Sequence, residues 1–533
     1  MVLSNGVVMV ASLVIGLLAC FGGDKEQVKE YSLPGGDPQK PDIIFVSIDS
    51  LRADHLASYG YSRKTSPFID ELADQGVRFH WARSTSPWTL PSHMTMFSGF
   101  MSTSHHVVDD TVRLDSRIPV LPELMKESGW LTGGFVSSLY VSEVFGFDRG
   151  FDKFEDFDLH TERLNLGRQV NAELVVDSAL KWVKDQQKGK PVFLFLHFYD
   201  VHYNYLPPAP YDSMFDRPPQ KGDLKYKNYF YFLKKKNKVS QAQFDHQIAQ
   251  YDESIRYLDD QLRVLNDAFA AAGRDVRWVI TSDHGEEFGE RGSWGHAHTL
   301  YAEQLRIPLI FSGQGLPKQT VDQGWVGSHD IAPTILSWAG QKLVSDGTDL
   351  NPYFAGKALP ERPFVAETSR FKTNKISLLE GEYRLEWNLK NDRAELFQPV
   401  LDPQEKNDIA SENPDIVARL KSVVEALVGD SWEAQQDGFL VLKNGIGLHQ
   451  GRKKSPFGVK KGDRFQLLPF DMKFRFRSTD GMDSKSIFSS IELDRLSEGA
   501  PVKYLGRNST KKVDLSEENI RLLEKMGYIH TEE

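Results

Sequence analysis

Cysteine is all but missing: the chain of 533 residues holds one, Cys20. A single thiol excludes an internal disulfide framework and any Cys-rich zinc site. A basic excess is also lacking. The net charge is −10, which argues against a nucleic-acid partner, since such proteins usually present a basic surface. Long apolar runs are absent beyond the N-terminal segment, which excludes a polytopic membrane protein. What is there, 40% hydrophobic and 26% charged residues, is neither collagenous nor disordered in composition. A chain of this length can fill several domains and stabilise its own core.

The one cysteine closes an unusual segment. Residues 1–19 carry no charged side chain, and Val7 to Ala19 is mostly apolar yet short for a bilayer span. It reads as the apolar region of a signal peptide. The run Leu17-Leu18-Ala19-Cys20 resembles the bacterial lipoprotein lipobox, although no Lys or Arg precedes the apolar stretch. That resemblance implies lipidation at Cys20 and an exported protein of the cell envelope, held at the membrane by an N-terminal lipid. An uncleaved anchor, or a chance buried Cys, is the alternative. Residues 21–41, rich in Gly, Pro and charge, read as a tether.

Beyond the tether, near-continuous apolar runs at 42–48, 192–198, 276–281 and 307–311 predict strands covered on both faces. Helical spacing separates them. Phe244, Ile248, Tyr251, Ile255, Leu258, Leu262, Leu265 and Phe269 recur at steps of four and three, with Gly273 as a C-cap. A weaker helical pattern covers 172–183. Strands alternating with helices predict an α/β fold with a mostly parallel central sheet flanked by helices. The pattern changes after about residue 370. Short strands at 375–379 and 383–389, then a helix at 414–428, predict a smaller C-terminal α+β subdomain over 371–430. Residues 431–512 read as a β-rich accessory region, and 513–533 as a closing helix capped by Asp514 or Ser516.

In open α/β sheets, ligands bind beyond the carboxyl ends of the strands. The first strand runs into Asp49-Ser50-Leu51-Arg52, the second into Tyr199-Asp200-Val201-His202, and the third into Asp283-His284-Gly285-Glu286-Glu287. Asp49, Asp283 and His284 are oxygen and nitrogen donors of the sort a divalent cation takes. Each alone suits an ordinary strand end; together they can converge. Pro91 suits the first turn of a helix, which places Thr89 just before it. An anion there meets free backbone N–H groups and the positive end of the helix dipole. A Thr hydroxyl is a weak nucleophile until a metal or base activates it. Metal ligands beside such a hydroxyl point to displacement at phosphorus or sulfur; the alternative is that Thr89 merely caps the helix.

Three stretches carry a closer resemblance: Asp42 to Gly60, Thr89 to Gly99, and Ser282 to Phe311, the last including Gly295-His296-Ala297-His298-Thr299. Together with Ala394-Glu395-Leu396-Phe397 they resemble the sulfatase branch of the alkaline phosphatase superfamily over roughly residues 42–430. The resemblance implies that fold, with 42–370 as the catalytic domain, and at least one divalent metal ion (Ca, Mn, Zn or Mg). Carried over residue by residue, Asp49, Asp283 and His284 match metal ligands, and Thr89 takes the nucleophile position that also touches the metal. His202 matches a histidine near the leaving group. His298 or His296 supplies another leaving-group or anion contact, and Ser92 and His296 are candidate substrate contacts. His93, a candidate catalytic residue, stands where sulfatases usually carry Arg. Ser50 stands where many calcium sulfatases carry a second Asp ligand.

The departures shape the chemistry. Sulfatases oxidise a Cys, sometimes a Ser, to formylglycine. Thr89 would give a methyl ketone that hydrates poorly, so it reads as an unmodified alkoxide nucleophile. That leans toward phosphate mono- or diester chemistry while leaving a sulfate ester open. The expected partner is a small-molecule, glycan or lipid ester. Two other readings stand beside this: a membrane-associated phospho-headgroup transferase on the same fold, and a non-catalytic binding protein that keeps it. The Lys- and aromatic-rich stretch Gln220 to Lys238 and the basic stretch after Arg452 read as solvated faces, or as an anion-attracting loop and a lipid or polysaccharide contact.

Overall fold

The computed structural model describes residues 31–428 except 115, 117, 158–169, 221–222 and 224–238, and beyond them the short pieces 430–433, 438–442, 457–459, 464–467, 474–478 and 510–513. Cys20 and its apolar segment, most of Gln220–Lys238, most of the basic stretch after Arg452 and the closing helix lie outside the described residues. No helix among the described residues is long and apolar enough to cross a membrane.

The central sheet has nine strands: β1 (Asp42–Ile48), β2 (Val77–Arg83), β3 (Leu131–Val136), β4 (Lys153–Glu155), β5 (Val192–Phe198), β6 (Val276–Ser282), β7 (Arg306–Gly313), β8 (Gln319–Val321) and β9 (Val326–Gly327). Their order is β8-β2-β7-β6-β1-β5-β3-β4, with β9 also on β2. Only β7 runs antiparallel to its neighbours; the other pairings are parallel. The expected α/β class with a mostly parallel sheet is the one found.

The central strands read as unbroken apolar runs because both faces are covered. On β1, Ile43 and Phe45 enter one core while Ile44, Val46 and Ile48 enter the other. On β5, Phe193 and Phe195 share the first core, and Leu194, Leu196 and Phe198 the second. Helices α1 (Pro67–Gln75), α3 (Ala172–Lys184) and α4 (Gln241–Ala271) cover the second face; α2 (Thr89–Ser98) and α5 (Ile331–Trp338) cover the first. Each fully buried Leu or Phe contributes about 1.5–3 kcal/mol, so these two layers hold the sheet's edge loops in place.

Helix α4 realises the period-3.6 stripe. Tyr251, Ile255, Leu258, Leu262, Leu265 and Phe269 are buried, and Phe244 and Ile248 pack at its margin. It starts at a capping box between Ser240 and Gln243. It ends at Gly273, whose φ of +63° suits a residue without Cβ. Helix α3 is capped by Asn171, whose Oδ1 accepts from Leu174 N–H at 3.1 Å.

A second, antiparallel sheet is formed by β10 (Phe364–Thr368), β11 (Lys375–Glu380), β12 (Tyr383–Asn388) and β13 (Arg393–Phe397). It begins before the change of pattern at residue 370, since Phe364–Thr368 is its first strand. Helix α6 (Pro414–Val428) sets Leu420 and Val424 against Ile376, Leu378, Leu385, Trp387 and Leu396. Farther along, Thr510–Lys512 pairs back, antiparallel, onto Val112–Leu114.

Candidate active site

Parallel register brings two carboxylates together. Ile48 of β1 pairs with Ser282 of β6, so Asp49 and Asp283, the next residue in each, leave adjacent strands side by side. His284 follows at once. Its Nδ1–H donates to Gly285 O at 2.9 Å, which leaves the Nε2 lone pair free for a ligand. That Nε2 lies 3.3 Å from Asp283 Oδ2 and 3.7 Å from Asp49 Oδ1. Asp283 Oδ2 and His284 Nε2 are buried with no hydrogen-bond partner. Buried polar atoms are normally paired. Two carboxylates and an imidazole lone pair facing one point are the donor set of a divalent cation, so Asp49, Asp283 and His284 fit such an ion. Burial first, and then the Asp49 charge, push the Asp283 carboxyl above its usual range, a repulsion that a cation would relieve.

Ser50 does not supply a further carboxylate. It sits in the left-handed region at φ 61° and serves both acids as a donor. Its N–H donates to Asp283 Oδ1 at 3.1 Å and its hydroxyl to Asp49 Oδ1 at 3.0 Å. Its own carbonyl accepts from Tyr251 OH at 2.9 Å, which ties this turn to α4.

Thr89 is one residue further along than the sequence suggested. It is the first helical residue of α2, not the cap. Trp88, extended at φ −156°, takes the cap position, and no side chain caps the helix. The cause is packing: Trp88 is buried edge-on against Tyr140, with Arg370 stacked 4.2 Å from its ring. The Thr89 hydroxyl is therefore not spent on the backbone. It donates to Asp49 Oδ2 at 3.4 Å. Pro91, with no N–H of its own, sits in the same first turn.

Two expected contacts turn inward. The Ser92 hydroxyl donates to Asp283 O at 2.6 Å and meets Ser84 Oγ at 2.9 Å, so it positions Asp283 and is not open to substrate. His93 lies one turn below Thr89, fully buried. Its Nδ1 is 2.8 Å from Thr89 O and its Nε2 2.9 Å from Ser47 Oγ. Burial drives its pKa down to about 3, so it is a neutral imidazole and not a cation in the place of Arg.

The remaining histidines separate into two roles. His202 is buried, stacked 4.1 Å on Tyr199, with Nδ1–H donating to Tyr203 O at 2.7 Å. Burial lowers its pKa to about 4. His296 has its ring 4.4 Å from His284 and 4.9 Å from His202, and its Nδ1 3.0 Å from Glu286 Oε1. Glu286 is held from behind by Tyr205 OH at 3.0 Å. His298 is committed to its own loop: Nδ1–H donates to His296 O at 2.8 Å, and Nε2 lies 2.7 Å from Ser293 Oγ and 3.3 Å from Glu287 Oε2. Of the pair left open by the sequence, His296 is the one that faces the carboxylate–imidazole cluster.

Three participants carried no motif. His197 belongs to an apolar strand run, yet it shares the phase of Phe193 and Phe195 and pairs in register with Ser47, which turns it toward α2. Its Nε2 is 3.5 Å from Asp49 Oδ2. That shared phase was the available signal. Tyr251 read as one more apolar residue of a helix stripe. Arg370 bonds Asp110 Oδ2 at 2.9 Å and Tyr140 OH at 2.6 Å beside Trp88, and nothing in its neighbourhood marked it.

A family model described as Sulfatase matches residues 41–341. A protein of Formosa agariphila named Sulfatase is 24% identical over 380 residues, 62% of this chain and 74% of its own. A Delta 4,5-hexuronate-2-O-sulfatase of Bacteroides thetaiotaomicron is 22% identical over 443 residues, covering 76% of this chain and 91% of its own. Among solved structures, a phosphonate monoester hydrolase of Agrobacterium radiobacter superposes with a TM-score of 0.58 at 17% identity, over 73% of this chain and 95% of that one.

Proposed function

The chain belongs to the sulfatase family and is a hydrolase of the sulfatase and alkaline phosphatase superfamily; from that premise we propose that it cleaves the sulfate ester of a sugar, with Thr89 as the nucleophile. One observation carries the assignment. The Thr89 hydroxyl heads a helix without capping it and meets Asp49 Oδ2 at 3.4 Å, beside the Asp49, Asp283 and His284 cluster. The sugar part of the reading is supported by the name of the hexuronate-2-O-sulfatase relative.

A divalent metal held by Asp49, Asp283 and His284 would lower the pKa of the Thr89 hydroxyl and offset the charge on the ester. Asp49 Oδ2 accepts the Thr89 proton as the Thr89 oxygen attacks sulfur. The bond from sulfur to the ester oxygen breaks, and that oxygen takes a proton from His296 Nε2–H, which His296 regains at Nδ1 from the buried Glu286 carboxyl 3.0 Å away, a group that burial holds well above the usual carboxylate range. The first turn of α2 directs N–H groups and dipole at the anionic group. Water then attacks sulfur, releases sulfate and restores the Thr89 hydroxyl. His298 and Glu287 hold the loop that carries His296, and Ser92 and His93 hold the elements that carry Asp283 and Thr89.

A second reading is favoured by the nucleophile itself. A phosphorylated Thr is opened readily by attack at phosphorus, so a phosphodiester or phosphonate monoester fits the same geometry; with an alcohol in place of water it becomes a transfer reaction. A panel of metal-reconstituted assays separates these: sulfated sugars and p-nitrophenyl sulfate against phosphate monoester, diester and phosphonate monoester. Fastest turnover of a sulfate ester is the expected result. Turnover of phosphorus esters alone moves the assignment to the second reading, and silence on every substrate supports a binding protein. The reading includes export on a lipid at Cys20, for which intact mass of the membrane fraction is the test; an unmodified Met1 in the cytosol removes it.

A further inference from the structure

Two arginines stand directly opposite each other where β2 ends and β7 begins. Arg83 and Arg306 are Cα partners in that antiparallel pair, and like charges so placed repel. With Trp81, Trp325, Pro403 and Glu405 they line a narrow cleft between the central sheet and the chain that follows β13. The Arg306 guanidinium lies 4.5 Å from the centre of the Trp81 ring and the Arg83 guanidinium 5.8 Å from that of Trp325. The two indoles are 4.9 Å apart. Arg83 is two strands removed from β6, the strand that leads into Asp283.

Arg83 is the informative member. It is only 5% exposed, and its Nη2 is buried without a hydrogen-bond acceptor, as are Arg306 Nε and Arg384 Nη2. Burial, and then the Arg384 charge, push the Arg83 pKa down to about 10, so it is still a cation at neutral pH. The two acids whose charge reaches it are already engaged. Glu405 Oε1 accepts from Arg384 Nε at 2.5 Å, and its Oε2 accepts from Ala302 N–H at 2.9 Å. Glu386 Oε1 accepts from Lys375 Nζ at 2.7 Å, and its Oε2 lies 3.5 Å from Arg384 Nη1. A buried charge without a partner is strongly destabilising, and a second cation directly opposite adds to the strain.

We propose that Arg83 and Arg306 form a binding site for a sulfate-type oxyanion in the cleft walled by Trp81 and Trp325. A planar guanidinium offers paired N–H donors that match two oxygens of such an anion. One anion between the two arginines removes their repulsion and gives Arg83 the acceptor it lacks. Arg384 neutralises Glu405, so that acid does not oppose the anion. A free sulfate ion and a sulfate group carried on a sugar offer the same chemistry. The inference rests on these arginines and not on Thr89 or on which ester is hydrolysed.

The test uses the full chain. Wild-type crystals soaked in sodium selenate should show a selenium anomalous peak within hydrogen-bond reach of both Arg83 and Arg306. In solution, sodium sulfate at constant ionic strength should raise the Tm of the wild type saturably. R83M, which keeps an unbranched side chain without the charge, should weaken that response by about 10-fold or more. R306M gives the same reading should R83M fail to fold. A sulfated oligosaccharide and its desulfated form, titrated alongside, separate the sources. A response to inorganic sulfate alone assigns a free ion; a response to the sulfated sugar and not to its desulfated form assigns a group on a sugar. No peak at the arginines overturns the proposal. So do equal responses in wild type, R83M and R306M, even with a peak present, because the ion is then taken up at crystal concentration only. A chain that hydrolyses no ester, yet holds selenate at Arg83, would count against the ester reading alone.

Discussion

The Ser50 hydroxyl donates to Asp49 Oδ1 at 3.0 Å from a backbone held at φ 61°. The same residue's N–H fixes Asp283 Oδ1, so one strained turn orients both carboxylates. S50A keeps the unfavourable backbone and loses the hydroxyl. Outer-sphere losses of this sort cost about 10–100-fold in metal affinity or activity. Isothermal titration of the apo chain with a divalent metal should show that weakening in S50A. Affinity equal to wild type would mean that Ser50 only makes the turn.

Thr89 gives the most direct test of the chemistry. T89A removes the attacking oxygen from a buried helix start whose hydroxyl makes no cap, so folding should be spared. Turnover should fall by about three orders of magnitude or more, as for other nucleophile losses. T89S, which keeps the oxygen, should retain a substantial fraction. Near-normal turnover in T89A, with an unchanged thermal melt, ends the assignment.

Metal removal should act on stability as well as on rate. Without a cation the buried carboxylates Asp49 and Asp283 face each other, and burial together with Asp49 raises the Asp283 pKa. An ion bound only by the folded chain stabilises it by about 2.7 kcal/mol at a hundredfold excess over Kd. Scanning calorimetry with chelator, then with restored divalent ion, should show a lower and then a recovered Tm. A Tm indifferent to both would argue that no ion occupies the cluster.

The sheet and the convergence of Asp49, Asp283 and His284 were legible because burial on both faces writes itself as unbroken apolar runs, and because strand ends hold these side chains. Two strands were not legible for opposite reasons. On β2, Arg78 and His80 are only partly buried, so the run looks amphipathic and interrupted. On β3, Gly133 and Gly134 break the apolar run. Yet a Cβ at Gly133 would stand 2.8 Å from the Trp182 ring, and one at Gly134 2.7 Å from Phe154, so the glycines are there to admit neighbours. The helix start was misplaced by one residue because Trp88 is pinned by tertiary contacts that local cap preferences do not see. His197 stayed hidden because its meaning lies in register with Ser47, a relation between strands far apart in the chain.

His298 and Glu287 set the last expectation, a pH dependence of the loop that carries His296. Burial alone would lower the His298 pKa, but the hydrogen bond and charge of Glu287 outweigh it and raise the value above that of a free histidine. Burial likewise opposes the Glu287 charge, and His298, Thr299 and Gln304 together bring its pKa below normal. The two shifts have opposite consequences. The raised His298 pKa gives stability that is complete below the unfolded value of ~6.5 and disappears as pH climbs through the folded value. The lowered Glu287 pKa gives stability that is complete above ~4.3 and disappears as pH falls through its folded value. The pair is therefore strongest in a mildly acidic window between those limits. Tm measured from that window upward, through the folded His298 value, should decline toward alkaline pH more steeply in wild type than in H298Q. Parallel Tm profiles for the two proteins would show that the pair does not hold the loop. If the loop also orients His296, H298Q should lower kcat with little change in KM, since His296 faces the leaving-group side and not the whole of the substrate.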